Sequence, residues 1–411
     1  MFIATGKAKK MKLSLIAAAT VMTLLAGTVA AVGQSSPNVL SMRVVGYYPS
    51  WAIYQRQFFV NEIPAGQLTH LNYAFANISE DGEVVLGDAW ADTQFPYPGD
   101  VEGADMLGNF NQLRLLKEAH AGLQTLISVG GWTWSSRFSD VALTEESRQR
   151  FARSAVDFMT RYGFDGVDID WEYPTGGGNY GNVNRPEDPE NFVLLLAEIR
   201  AQLDVQGELD GRHYLLTIAA GAGESAYAPL GWERIHPSLD FINVMTYDFA
   251  GSFSDATGHA SPLFDSANTL VGSVDRTVQG MLAAGVPADK LVVGVPFYGH
   301  SWARVEAEND GMNQPFTGSG PGTWEPGWLD YSDITANHLD MPRFWDDEAQ
   351  VPWLYDAETG IMISYEDPES ARLKAQYVVE NGLGGIMFWE VTQDTADLAL
   401  LNAITAVLNT R

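Results

Sequence analysis

Asp168, Asp170 and Glu172 stand at alternate positions in the run Asp165 to Glu172 (DGVDIDWE), with Val167, Ile169 and Trp171 between them. Successive side chains of a strand point to opposite faces, so the three carboxyls share one face and the three apolar groups the other. A helix-like stretch, Phe151 to Tyr162, and a turn at Gly163 come before it. That order suggests the strand of a β/α unit, and such strands are buried on both faces. Three carboxylates buried side by side repel one another and lose hydration, so at least one must hold a proton at neutral pH. A carboxyl kept neutral in this way is what general acid catalysis requires. An exposed acidic edge strand would show the same alternation without chemistry. A hard metal ion is a poorer fit, because same-face neighbours on one strand lie about 6–7 Å apart. No metal and no cofactor is expected.

A strand can position these groups only if the chain repeats it. Eight short apolar runs can be picked out, mostly separated by helix-like stretches: 44–48, 68–75, 123–129, 166–171, 214–220, 241–247, 290–297 and 385–389. Alternating strands and helices imply a parallel sheet. Eight of them imply closure into an α/β fold of the (β/α)8 TIM-barrel class. An open doubly wound sheet is the alternative, but no GxGxxG follows the first run. About seventy residues between the seventh run and the last helix are too many for one connection. They read as a small α+β insertion subdomain at 301–367, anchored by Trp324, Trp328, Trp345 and Trp353, with the barrel at 43–300 and 368–408.

The active sites of such barrels lie at the carboxyl ends of the strands. The polar or aromatic residues there are Tyr47, Tyr48, Phe75, Ser128 with Gly130-Gly131-Trp132, Glu172, Met245 with Tyr247-Asp248, Tyr298 and Trp389. Acids beside flat aromatic faces suit sugar rings, whose C–H faces stack on aromatics while their hydroxyls bond carboxylates. A phosphate site would want Lys or Arg, and a zinc site would want His.

Four segments then carry a resemblance. Asp165 to Glu172, continued by Tyr173-Pro174, resembles the DxxDxDxE signature of family 18 glycoside hydrolases, the chitinases and their relatives. Ser128 to Trp132 is similar to that family's SxGG segment, Met245 to Asp248 to its MxYD segment, and Gly385 to Glu390 to its last strand. The resemblance covers about Arg43 to Leu408. It implies Glu172 as general acid and the substrate's own 2-acetamido carbonyl as nucleophile, a documented exception to the two-carboxylate scheme. It also implies that Asp170 orients the acetamido N–H, that Asp168 shares a proton with Asp170, that Tyr247 holds the acetamido oxygen and that Trp389 floors the −1 sugar. Tyr47, Phe75, Trp132, Tyr173, Met245, Asp248, Tyr298 and His300 are the further expected substrate contacts. His300 departs from the family, which often has Arg there, and Phe253 stands for a frequent Trp. The expected partner is chitin or its oligosaccharides. An endo-β-N-acetylglucosaminidase on N-glycans and a non-catalytic chitin-binding lectin are the alternatives.

Composition bounds the class of the protein. The chain has 411 residues and no cysteine, so neither disulfides nor thiolate metal sites arise. A net charge of −28 argues against nucleic acid or anionic membranes as partners. Lys7, Lys9, Lys10 and Lys12 precede an apolar stretch ending near Ala31, the pattern of a secretory signal at 1–31. A secreted monomer, free of the membrane once that signal is removed, is the expectation.

Overall fold

A computed structural model describes residues 42–100 and 106–409, so the expected signal segment lies outside the described residues. The strands, in chain order, are β1 (Arg43–Pro49), β2 (His70–Ile78), β3 (Val84–Val85), β4 (Gln124–Gly130), β5 (Gly166–Asp170), β6 (Leu215–Gly221) and β7 (Phe241–Met245). They continue with β8 (Leu291–Pro296), β9 (Tyr298–Trp302), β10 (Trp328–Asp330), β11 (Arg343–Asp346), β12 (Val351–Asp356), β13 (Ile361–Ser364) and β14 (Gly385–Trp389). Eight of them run parallel in the order β1-β14-β8-β7-β6-β5-β4-β2, and β1 also pairs with β2, which closes the barrel. Each of the eight apolar runs supplies one barrel strand.

Helices cover the outside of this sheet, and the reasons are local. The helix Glu145–Tyr162 starts at Thr144, whose hydroxyl accepts from the Ser147 amide, and ends at Gly163 in the left-handed region. Its Phe151, Ala155, Phe158 and Met159 are buried at helical spacing. Ile169 and Val167 belong to this outer layer, whereas Tyr47, Phe75, Leu126, Phe241, Val292 and Met387 fill the barrel interior. The strand alternation read from the sequence therefore decides which face of β5 meets the helices and which meets the site.

The insertion is a five-stranded antiparallel sheet, β10-β9-β13-β12-β11, with a helix at Tyr331–Asn337. Its first strand begins at Tyr298, directly after the barrel strand β8, so Tyr298 and His300 belong to this sheet. Its core is Trp302, Val305, Met312, Trp353, Tyr355 and Met362. Of the four tryptophans expected as anchors, only Trp353 lies in that core. Trp324 is 48% exposed, with its indole N–H on Asp330. Among the described residues, no helix is long and apolar enough to cross a membrane.

Candidate active site

Register brings together what the sequence separates. Asp168 of β5 lies opposite Ser128 of β4 and Thr217 of β6. Ser128 Oγ (2.7 Å) and Tyr47 Oη (2.8 Å) donate to Asp168 Oδ2, while Thr217 Oγ1 (2.6 Å) and Asn243 Nδ2 (3.4 Å) donate to Oδ1. Burial pushes this carboxyl above its ordinary range, and the hydrogen bonds pull against that. Donors on four other strands thus hold both oxygens of Asp168.

Asp170, one step further along the same face, is built oppositely. Its Oδ1 is buried with no hydrogen-bond partner among the described residues. Burial first, then the charges of Glu172 and Asp168, push it well above the ordinary range. Glu172 follows just past the end of β5 and is also buried. Its amide donates to Ser135 Oγ (2.9 Å), and its carbonyl accepts from Asn182 Nδ2 (3.0 Å). Burial pushes the Glu172 carboxyl up to about 7. A hydrogen bond from Tyr173 opposes this, and the charge of Asp248 adds to it.

The two glycines after Ser128 have a steric reason. Both have positive φ, where a side chain is strained. A Cβ on Gly130 would stand 2.4 Å from the Asp170 carbonyl oxygen, and one on Gly131 would stand 2.7 Å from the Phe75 ring. The chain can therefore pass close enough for Ser135 to reach the Glu172 amide.

Trp389 makes one wall. Its ring stacks on Phe75 with centroids 5.8 Å apart and meets Tyr47 at 5.6 Å and Trp51 at 6.3 Å. Met245, Tyr247 and Trp134 pack against the same inner cluster. The Tyr247 hydroxyl donates to Met387 Sδ across 3.9 Å. Trp132 is half-exposed on the short helix Gly131–Trp134. Three of the expected sugar contacts stand further back. Tyr47 is buried with its hydroxyl on Asp168, and the buried Tyr298 hydroxyl and His300 Nε2 both lie on Asp248 Oδ1.

Sequence reasoning missed Thr217, Asn243, Ser135, Trp51 and Trp134. Their positions show only once strands are paired, and none belongs to a local pattern of its own. It also missed three non-proline cis peptide bonds, Ala74-Phe75, Glu172-Tyr173 and Trp389-Glu390, for which no residue type is a signal.

The assembled site offers a carboxyl pushed up to about 7, a second carboxyl with an unpartnered oxygen among the described residues, a phenol held only by a long contact with a thioether, and an aromatic wall. This set can protonate a leaving oxygen and stabilise a positive charge beside it. Comparisons with known proteins point the same way. Chitinase A1 of Niallia circulans is 44% identical over 412 residues, an alignment that spans 90% of this chain and 59% of that protein. Endochitinase 1 of Metarhizium robertsii is 37% identical over 390 residues, 92% of this chain and 88% of the other. The catalytic domain of psychrophilic chitinase B from Arthrobacter TAD20 superposes with a TM-score of 0.85 at 32% identity, covering 92% and 97% of the two chains. The profile of glycosyl hydrolases family 18 matches residues 43–394, and the chain belongs to that family.

Proposed function

We propose that this chain is a secreted chitinase that hydrolyses β-1,4 links between N-acetylglucosamine units with retention, using the substrate's acetamido group as nucleophile. Glu172 is the general acid. Asp170 accepts the acetamido N–H, Tyr247 donates to its carbonyl oxygen, and Asp168 acts from behind on the charge of Asp170. Trp389 and Phe75 carry the −1 sugar, with Trp132, Met245, Tyr173 and Asp248 around it. The insertion, whose sheet begins at Tyr298, deepens the cleft for a linear chain, and the basic and apolar N-terminus directs export.

One observation carries this reading. Asp170 Oδ1 is buried without a hydrogen-bond partner among the described residues, and the Tyr247 hydroxyl has a long contact of 3.9 Å with Met387 Sδ. An amide group presents the complementary pair, an N–H and a C=O. The relatives' names supply the polymer that bears such amides.

Chitin hexamer, a cellulose oligomer and a high-mannose glycopeptide, each followed by product analysis, test the proposal. Expected are retention of anomeric configuration on chitin, no cleavage of cellulose, and inhibition by a thiazoline mimic of the cyclic intermediate. A stoichiometric covalent adduct on Asp170 from a fluorosugar would replace the acetamido mechanism with a protein nucleophile. Cleavage of the glycopeptide in preference to chitin would move the substrate to N-glycans. Binding without any turnover would make the chain a lectin.

A further inference from the structure

Tyr247 follows the end of β7, and the two strands beside it form its seat. Gly294 of β8 and Met387 of β14 lie opposite each other in the parallel register. A Cβ on Gly294 would stand 2.8 Å from Cε1 of the Tyr247 ring, so the ring lies where a side chain would otherwise be. Met387 has no exposed surface, and its Sδ accepts from the Tyr247 hydroxyl. On another side the ring meets Tyr298 edge-on, with centroids 6.2 Å apart.

The neighbouring phenols are held differently. The Tyr47 hydroxyl donates to Asp168 Oδ2 at 2.8 Å, and the Tyr298 hydroxyl donates to Asp248 Oδ1 at 2.6 Å. Each of those bonds ends on a carboxylate, and such bonds are about twice as strong as neutral ones. Tyr247 gives its hydrogen to a sulfur at 3.9 Å. A thioether is a weak acceptor, so this hydroxyl loses little when it turns to another oxygen.

We propose that Met387, with Gly294 opposite it, is a positioning residue for Tyr247: the glycine admits the ring, and the thioether supports the hydroxyl without competing for its hydrogen. This rests on the reading that Tyr247 donates to the acetamido oxygen. An amide or carboxylate oxygen in place of the sulfur would fill the same space. It would also keep the hydrogen for itself, and every binding event would first have to break that bond.

The experiment has two parts. The first is kcat/KM on a chitin oligosaccharide for the parent, Met387→Leu, Met387→Gln and Tyr247→Phe. The second is calorimetric binding of a chitin tetramer to the same set in a Glu172→Gln background, with each Met387 variant repeated beside Tyr247→Phe. Met387→Gln supplies a strong acceptor and should lower kcat/KM and affinity by roughly tenfold, the worth of about one hydrogen bond. Met387→Leu keeps the volume, and its loss should stay within about threefold. Beside Tyr247→Phe, which has no hydroxyl to capture, the Gln and Leu variants should bind alike. A Met387→Gln loss of the same size in that background would overturn the competition argument in favour of packing. Met387→Leu carries the test if Met387→Gln does not fold: a tenfold loss there that vanishes beside Tyr247→Phe would make the sulfur a required partner and overturn the proposal. Met387→Gln equal to the parent, while Tyr247→Phe loses turnover, would overturn the role of Met387 alone. Parent-like turnover and binding in Tyr247→Phe would instead remove the reading of Tyr247 on which it rests.

Discussion

Two groups of buried acids differ in what stands beside them. At the mouth of the barrel, Asp168, Asp170 and Glu172 have hydroxyls, an amide and one another as neighbours, and no Lys or Arg pairs with any of them among the described residues. Where the insertion rejoins the barrel, Glu366 is equally buried but lies against the Lys374 ammonium, which also donates to Ser261 O (2.6 Å) and Oγ (2.7 Å). Burial pushes Glu366 up and Lys374 down, and each charge opposes the shift of the other. A third group is intermediate: Arg56 bonds both oxygens of Asp330 and lies 3.4 Å from Glu390. The seam acids Glu366, Asp330 and Glu390 each have a cation beside them, whereas the row at the mouth has none among the described residues, and burial there pushes the Glu172 carboxyl up to about 7.

The largest effects should separate the two groups by kind. Glu172→Gln keeps the shape but cannot donate a proton, so turnover should fall by about 10²–10⁴-fold, with sugar binding within a few-fold and no loss of stability. Initial rates and calorimetric titration of an oligosaccharide read the two sides, and a variant keeping a tenth of the parent rate would remove Glu172 as the acid. At the seam the pattern should reverse. Lys374→Ala leaves Glu366 buried and unpaired and should cost about 3–5 kcal/mol of stability, with unchanged kinetic constants in the folded fraction. Replacing both partners by Met should restore most of that loss. Urea midpoints decide it, and a double variant as unstable as the single one would mean that the pair is not the source of the cost.

The sequence made one group readable and hid the other, for a physical reason. Asp168, Asp170 and Glu172 are neighbours in the chain, so strand periodicity alone puts them on one face. The barrel strands were legible too, because burial on both faces leaves continuous apolar runs. Lys374 and Ser261 are 113 residues apart, and Tyr47 and Asp168 are 121 apart. Such pairs exist only after the barrel closes. The same limit explains Trp324, which looked like a core anchor by type but is held at the surface through Asp330 and under Arg56. It explains Asp168 as well: its four donors come from four strands, which residue order alone could not bring together.

Trp389 tests whether the mouth is a binding surface or simply core. Its ring touches Tyr47, Trp51 and Phe75 but is only partly buried. Trp389→Ala should lose about 0.5–1.5 kcal/mol of stability for each aromatic pair it breaks, together with a clear rise in KM and fall in kcat. A large drop in the unfolding midpoint with unchanged constants in the folded fraction would make the ring a core residue and no more.

The smallest effect bears most directly on the comparison, because it measures what an unpaired acid costs the fold. Glu172 titrates about 7 in the folded chain against an ordinary value of 4.5, so between these pH values the folded state holds a proton that the unfolded state has released. Stability must therefore fall as pH rises through that window, with the full penalty present above it and none below it. The shift corresponds to an upper figure of about 3 kcal/mol. Asp170 shares the titration, so roughly 1–2 kcal/mol is expected for Glu172 alone. Glu390, also pushed up to about 7 by burial, gives the parent a slope of the same sign. That slope cancels when the variant is compared with the parent. Glu172→Gln cannot titrate, so its urea midpoint should match the parent's near pH 4.5 and exceed it increasingly up to pH 8. A constant difference across that range would show that Glu172 is an ordinary carboxylate, and that the missing cation at the barrel mouth has no consequence for its proton.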